Sequence, residues 1–215
     1  MTAQVGRSDF LIAAESAIEL IGRVEVVRRW DEPSALAHMS VGGLAAHLGD
    51  QIRPVHAAVT AGTNVTDDEP ISLLDHYDRV AWAKSGIDDP SNVTIREGAE
   101  EHAERGHDAL VGSLQHALHD IRTAFDALVL PPAISMPWWA WSLSFEDYLV
   151  GRVMEIVVHN DDLAVSVDTA PPVLPEPVLG PVLALLVGVS LQRHGQAAVV
   201  RALSRSERAG NISAF

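Results

Sequence analysis

Along the chain, apolar residues return every three or four positions, the period of a helix, and nowhere hold the strict alternation of a half-buried strand. After Ser8, a candidate N-cap, Leu11, Ala14, Ile18 and Ile21 predict a first helix that fades near Trp30 and the turn at 31–34. Ser40 caps a predicted second helix over 41–62, with Leu44, Leu48, Val55 and Val59 on its apolar side. Pro54 cannot donate to the carbonyl of Asp50 and predicts a kink. His47, beside Leu44, Leu48 and Gln51, faces the same way as the apolar side. A polar loop at 63–70 and a short helical stretch at 72–84 follow.

The longest pattern runs from Pro90 to Leu128. Ala103, Leu110, Leu114, Ala117, Ile121, Phe125 and Leu128 share one side of it, and Pro131 and Pro132 stop it. An aromatic connector at 133–142 leads to Ser144, Phe145, Glu146 and Asp147, which fit a capping box opening a helix through Ala164. Residues 168–177 read as a linker, and two tail helices separated by Gly195 come after it. The expected fold is all-α: a four-helix bundle with long connections over 1–168, with a linker and short helical C-terminal tail over 169–215 packing on it.

The run at 178–191 is apolar enough to raise the question of a membrane. At about 14 residues, broken by Pro181 and Gly188, it falls short of the roughly 20 needed to span, so it is expected to be a buried core helix. The N-terminal 20 residues lack the basic start and long apolar run of a secretory signal, which makes the cytoplasm the expected location.

Charge narrows the partners. Fifteen Lys and Arg against 29 Asp and Glu leave a formal charge of -14, which repels nucleic acid over most of the surface. The absence of cysteine excludes disulfides, thiolate metal sites and a thiol nucleophile of the protein's own. No Gly-rich phosphate loop, GxSxG elbow or HExxH motif occurs either.

Candidate chemistry concentrates in the helix from Tyr148. At about 100° per residue, Tyr148, Arg152, Glu155, His159 and Asp162 fall within an arc of roughly 80°. Leu149, Val150, Val153, Met154, Ile156, Val157, Val158, Leu163 and Val165 cover the rest of the cylinder. An apolar arc so wide predicts a central helix whose polar stripe turns inward or lines a cleft. A buried Glu155 then needs a proton, a cationic neighbour or a metal ion.

Glu155 and His159, one turn apart, are a natural helical chelate, and core-facing His47 is the candidate third ligand. Two histidines and one carboxylate with an open position form the donor pattern of a catalytic zinc. Asp162 would accept an imidazole N–H, and Arg152 would bind an anionic part of a ligand or pair with Glu155 or Asp162. Spacing also permits a plainer reading, in which Arg152, Glu155 and Asp162 form an ion-pair ladder on a water-facing strip with His159 a passive member.

The segments MSVGGLAAHL (39–48) and YLVGRVMEIVVHNDDLA (148–164) resemble the N-terminal domain of mycothiol-dependent maleylpyruvate isomerase, a branch of the DinB-like superfamily of metal-binding four-helix bundles. The closing RHGQAAVVRALSRSERAGNISAF is similar to the tail of short members of that branch. The resemblance implies a divalent metal, usually zinc, on His47, Glu155 and His159, with mycothiol as thiol cosubstrate. It implies addition of the activated thiol to a small-molecule electrophile, as in a cis–trans isomerase or a thiol S-transferase. The isomerase carries a separate C-terminal domain, whereas only about 40 residues follow the linker here, too few for an independent core.

Trp138, Trp139 and Trp141, with Tyr148, are candidate walls of a pocket at the open position, although the indoles would equally serve as packing at the bundle end. His102, His107, His116 and His119 are expected on a solvated face. Two alternatives stand beside the enzyme: a non-catalytic bundle that binds a metal or small ligand, and a non-haem iron facial triad. The apolar tail helices offer a surface for a homodimer.

Overall fold

The computed structural model describes residues 5–127 and 130–215, so the expectation for Leu128 lies outside the described residues. Helix α1 (Arg7–Ile21) begins not at Ser8 but at Gly6, whose backbone N–H donates to the Asp9 carboxylate at 2.8 Å. It ends at Gly22, and a separate short helix, α2 (Val24–Arg28), continues towards Trp30. Phe10, Ala13, Ala14, Ala17, Leu20 and Ile21 are buried along it.

The Ser40 cap is as expected: its hydroxyl accepts from Gly43 N–H and donates to Glu100, both at 2.8 Å. Instead of a kinked rod, however, the segment forms two helices, α3 (Val41–Gly49) and α4 (Arg53–Ala61). Pro54 sits in the first turn of α4, where its missing N–H costs nothing, and the chain re-aims through Asp50, Gln51 and Ile52. A Cβ on Gly42 would collide with the Trp30 indole and one on Gly43 with the Glu100 carboxylate. That glycine pair lets α3 sink deep enough to carry His47 into the bundle.

A short antiparallel sheet, not anticipated from the sequence, ties two connections together, the one before α5 (Leu73–Arg79) and the one that leads to the helix from Phe145. Strand β1 (Val65–Thr66) pairs with β2 (Ala133–Ile134), and β2 with β3 (Leu143–Ser144). Strands of two residues are too short to show a period, which explains the missed alternation. Ser72 caps α5 (Leu73–Arg79). The long pattern at 90–128 is divided into α6 (Pro90–Ala103) and α7 (His107–Asp126), because Gly106 adopts φ +84°. Such a left-handed residue ends a helix although the apolar stripe runs across it.

Ser144 accepts from Asp147 N–H at 3.1 Å and opens α8 (Phe145–Ser166), the central rod. It packs against α1 and α3, while α6 and α7 close the bundle over α3, α1 and α4. The architecture is all-α apart from the small sheet. Helix α9 (Glu176–His194) lies against α8, α5 and α1, and α10 (Gln196–Ser204) turns off it at Gly195. The expectation that 178–191 is a buried core helix is corrected here. Val178, Val182, Leu185 and Val189 are buried, but Leu183, Val187 and Leu191 are exposed. The helix is long and apolar enough to cross a membrane by length and composition, yet it rests on the bundle by one face only.

Candidate metal and thiol site

Helix α8 is buried nearly all round, so its polar stripe faces protein rather than water. Glu155 and His159 side chains are each 12% exposed and Asp162 24%, which excludes the water-facing ladder. From α3, His47 brings its ring to 4.6 Å from that of His159, centre to centre. His159 Nε2 stands 3.4 Å from the Glu155 carboxylate, and its Nδ1 donates to Asp162 at 2.9 Å. The fold thus gathers His47, Glu155, His159 and Asp162. These donors pair with one another, and among the described residues no three such side chains are set out as a ready coordination shell.

Arg152 pairs with neither Glu155 nor Asp162. Its Nη1 donates to Gln51 Oε1 on the stretch between α3 and α4, at 2.6 Å. Gln51 in turn donates to the carbonyl of His47 at 2.9 Å, so one side chain steadies both the guanidinium and the end of α3. Gln51 was visible in the sequence only as a neighbour of His47, four residues on.

Protonation follows from these surroundings. Burial, reinforced by the positive charge of His159, lowers the His47 pKa to about 3 and keeps its imidazole neutral. Burial also opposes charge on His159, but hydrogen bonds to Asp162 and Glu155 outweigh it and raise the pKa to about 9. For Glu155, burial is overcome by the hydrogen bond and charge of His159 and the charge of Arg152, which hold the carboxyl below its ordinary value. The donor chemistry suits a divalent cation: one neutral imidazole, one ionised carboxylate and a second imidazole whose proton a cation would replace.

Above the stripe lies an aromatic wall. Tyr148 is 1% exposed, with Arg152 5.4 Å from its ring centre. Trp139 lies 6.5 Å from Tyr148 and stacks on Trp141 at an interplanar angle of 6°. Between them the sequence missed His76 and Tyr77, from α5. His76 packs at 4.5 Å on Trp139 and accepts the Trp141 indole N–H at 3.1 Å, so burial and the Arg152 charge lower its pKa to about 4. Two aromatic rings beside Leu73 on a helix of seven residues gave too short a pattern to reveal a face. Trp138 is not part of the wall; it is 75% exposed and turned to solvent.

The other histidines are not one solvated face. His102 bonds Asp50 at 2.9 Å, and His107 meets the Trp30 edge and the Ile21 carbonyl. His116 remains 75% exposed, as expected.

The sequence model of one family, the mycothiol maleylpyruvate isomerase N-terminal domain, matches residues 13–164, a span that includes every residue of this site. The chain belongs to that family. No curated protein and no solved structure matches it.

Proposed function

We propose that the chain is a metal-dependent enzyme acting through a low-molecular-weight thiol of the mycothiol type. Its reaction is S-transfer to, or cis–trans isomerisation of, a small electrophile. The observation that carries this reading is the meeting of His47 and His159, 4.6 Å apart beside Glu155, in the interior of a chain of this family. His47, Glu155 and His159 would hold the cation, zinc by the character of the donors. When bound, such a cation lowers the pKa of a thiol so that a thiolate exists at neutral pH.

The chain's own residues supply the rest. Asp162 accepts the Nδ1–H of His159 and fixes which nitrogen faces the cluster. Gln51 holds Arg152 alongside, where its charge favours anionic groups. Trp139, Trp141 and Tyr148 enclose the site in apolar rings and keep out bulk water. With no cysteine in the chain, the reacting sulfur must come from a cosubstrate.

Conjugation of monochlorobimane with mycothiol and with glutathione, by untagged protein with and without chelator, tests the reading. Conjugation is expected with mycothiol alone, abolished by chelator and by His159→Ala. Equal, negligible metal content in wild type and His159→Ala, with no conjugation by either, would overturn it.

A further inference from the structure

Beside the His47–Glu155–His159 cluster, three buried polar atoms have no hydrogen-bond partner: the hydroxyls of Tyr77 and Tyr148 and Nε of Arg152. The fourth such atom among the described residues, Asn160 Oδ1, belongs to a side chain that bonds Ser16 on α1 instead. Tyr77 and Tyr148 are 2% and 1% exposed, so bulk water does not serve their hydroxyls. The three groups are neighbours. The Tyr77 hydroxyl lies 3.4 Å from where a Cβ on Gly151, next to Arg152 in the chain, would stand, and the guanidinium carbon is 5.4 Å from the Tyr148 ring centre.

Each of these groups has a proton to give. Burial pushes both phenols above their ordinary pKa, so they stay protonated donors, and a guanidinium does not titrate in proteins. Nη1 of Arg152 is taken by Gln51, which leaves the edge carrying Nε and Nη2. That edge presents two parallel N–H groups, the fork that matches a planar oxyanion. Buried donors left unpaired in a folded chain call for an explanation, and several on adjoining side chains call for an acceptor that is shared. Trp139 lies 6.5 Å from the Tyr148 ring and His76 5.1 Å from that of Tyr77, and Trp141 stacks on Trp139 at 6.3 Å.

We infer that Tyr77, Tyr148 and Arg152 form a carboxylate-binding subsite beside the metal cluster, which holds the acid group of a small molecule, either the thiol or the electrophile that the thiol meets. The inference rests on the proposed thiol chemistry for its purpose. Its test does not.

Tryptophan fluorescence of the full chain, titrated with benzoate and with the neutral isostere benzamide, reads the subsite through Trp139 and Trp141. Benzoate is expected to quench saturably, with benzamide at least about tenfold weaker, a ratio typical of a charge-assisted pair. Tyr77→Phe and Tyr148→Phe are each expected to weaken benzoate about three- to tenfold and leave benzamide unchanged. Their Tm should equal or exceed that of wild type, because each removes an unpaired buried hydroxyl. Arg152→Gln should abolish the preference, and the Phe variants keep the test decisive should that chain not fold.

Equal binding of benzoate and benzamide, or wild-type benzoate affinity in both Phe variants, would overturn the subsite. So would a preference seen with zinc and lost with chelator, since the carboxylate would then sit on the cation. Displacement of benzoate by N-acetylcysteine but not by its amide assigns the subsite to the acid of the thiol, and displacement by neither assigns it to the electrophile. Benzoate preference without metal-dependent conjugation leaves the subsite standing and sinks the thiol reading. Conjugation without preference does the reverse.

Discussion

Two clusters of histidine and aspartate in this chain are alike in composition and unlike in consequence. Inside the bundle, His159 lies between Glu155 and Asp162 at 3.4 and 2.9 Å, with side chains 12 to 24% exposed. At the meeting of α4 and α7, His56 and His116 share one oxygen of Asp120 at 2.9 and 3.4 Å, with side chains 29, 75 and 30% exposed. The distances are nearly the same. What differs is the solvent around them: in the interior, charges act through a low dielectric and must be compensated, whereas at the surface water screens them. The inner cluster therefore holds one imidazole neutral and the other charged, and only it has the burial that turns a pair of histidines into a chemical device.

The sharpest way to break this contrast is to delete one histidine from each cluster. In His159→Ala, Glu155 and Asp162 lose the cation between them, and removing one partner of a buried ion pair costs about 3–5 kcal/mol. Thermal unfolding of the metal-free protein should show a fall in Tm on the order of 10 °C. His56→Ala should shift Tm by no more than about 3 °C. Similar losses at the two positions would mean that burial is not what separates them.

Zinc sharpens the same comparison from the other side. A cation that binds only the folded chain, present at about 100 times its dissociation constant, adds about 2.7 kcal/mol. Zinc is expected to raise the Tm of wild type and of His56→Ala alike, by about 5–10 °C. Glu155→Gln and His47→Ala should lose that rise. A rise that persists in Glu155→Gln but vanishes in His56→Ala would move the metal to the surface.

The contrast also marks how far the sequence could be read. His47, Glu155, His159 and Asp162 were legible because a helix repeats: Glu155, His159 and Asp162 share a face by spacing alone, and Leu44 and Leu48 point His47 inward. Their surroundings came from short or irregular pieces without a period, such as Tyr77 on α5 and Gln51 between two helices. Arg152 shows the same limit. Of its two expected uses, binding an anionic group or pairing with Glu155 or Asp162, the second gives way to Gln51, 101 residues away in the chain, which takes its hydrogen bond. The helix break at Gly106 escaped, and the one before Pro54 reads only as a kink, because an apolar stripe continues across a change of direction as long as both parts face one core. The outer face of α9 escaped for the opposite reason: its apolar residues lie on all sides, and composition alone does not say which are covered.

Acidity probes the wall above the inner cluster. His76 is 3% exposed and titrates near pH 4 in the folded chain, against an ordinary value of about 6.5. Between those values the unfolded chain binds the proton and the folded one does not, so this contribution is complete above about pH 6.5 and is lost as pH falls towards 4. Its full size is about 3 kcal/mol. His76→Asn keeps an acceptor for the Trp141 indole without the titration, so its urea midpoint should fall less steeply with acid than that of wild type. Parallel curves would show that His76 is not held neutral.

The smallest expected effect lies at the far end of the comparison. His116 is four residues before Asp120 on α7 and 75% exposed, so its side chain is ordered by little besides a 3.4 Å approach to a carboxylate already bonded to His56. Exposed pairs of this kind gain from attraction about what they lose in side-chain freedom. His116→Ala should therefore leave Tm within about 2 °C of wild type, leave conjugation unaltered, and change neither result between low and high salt. A larger loss, erased by salt, would show that His56, His116 and Asp120 act as a charged unit despite the water around them, and the distinction between the two clusters would then be one of degree.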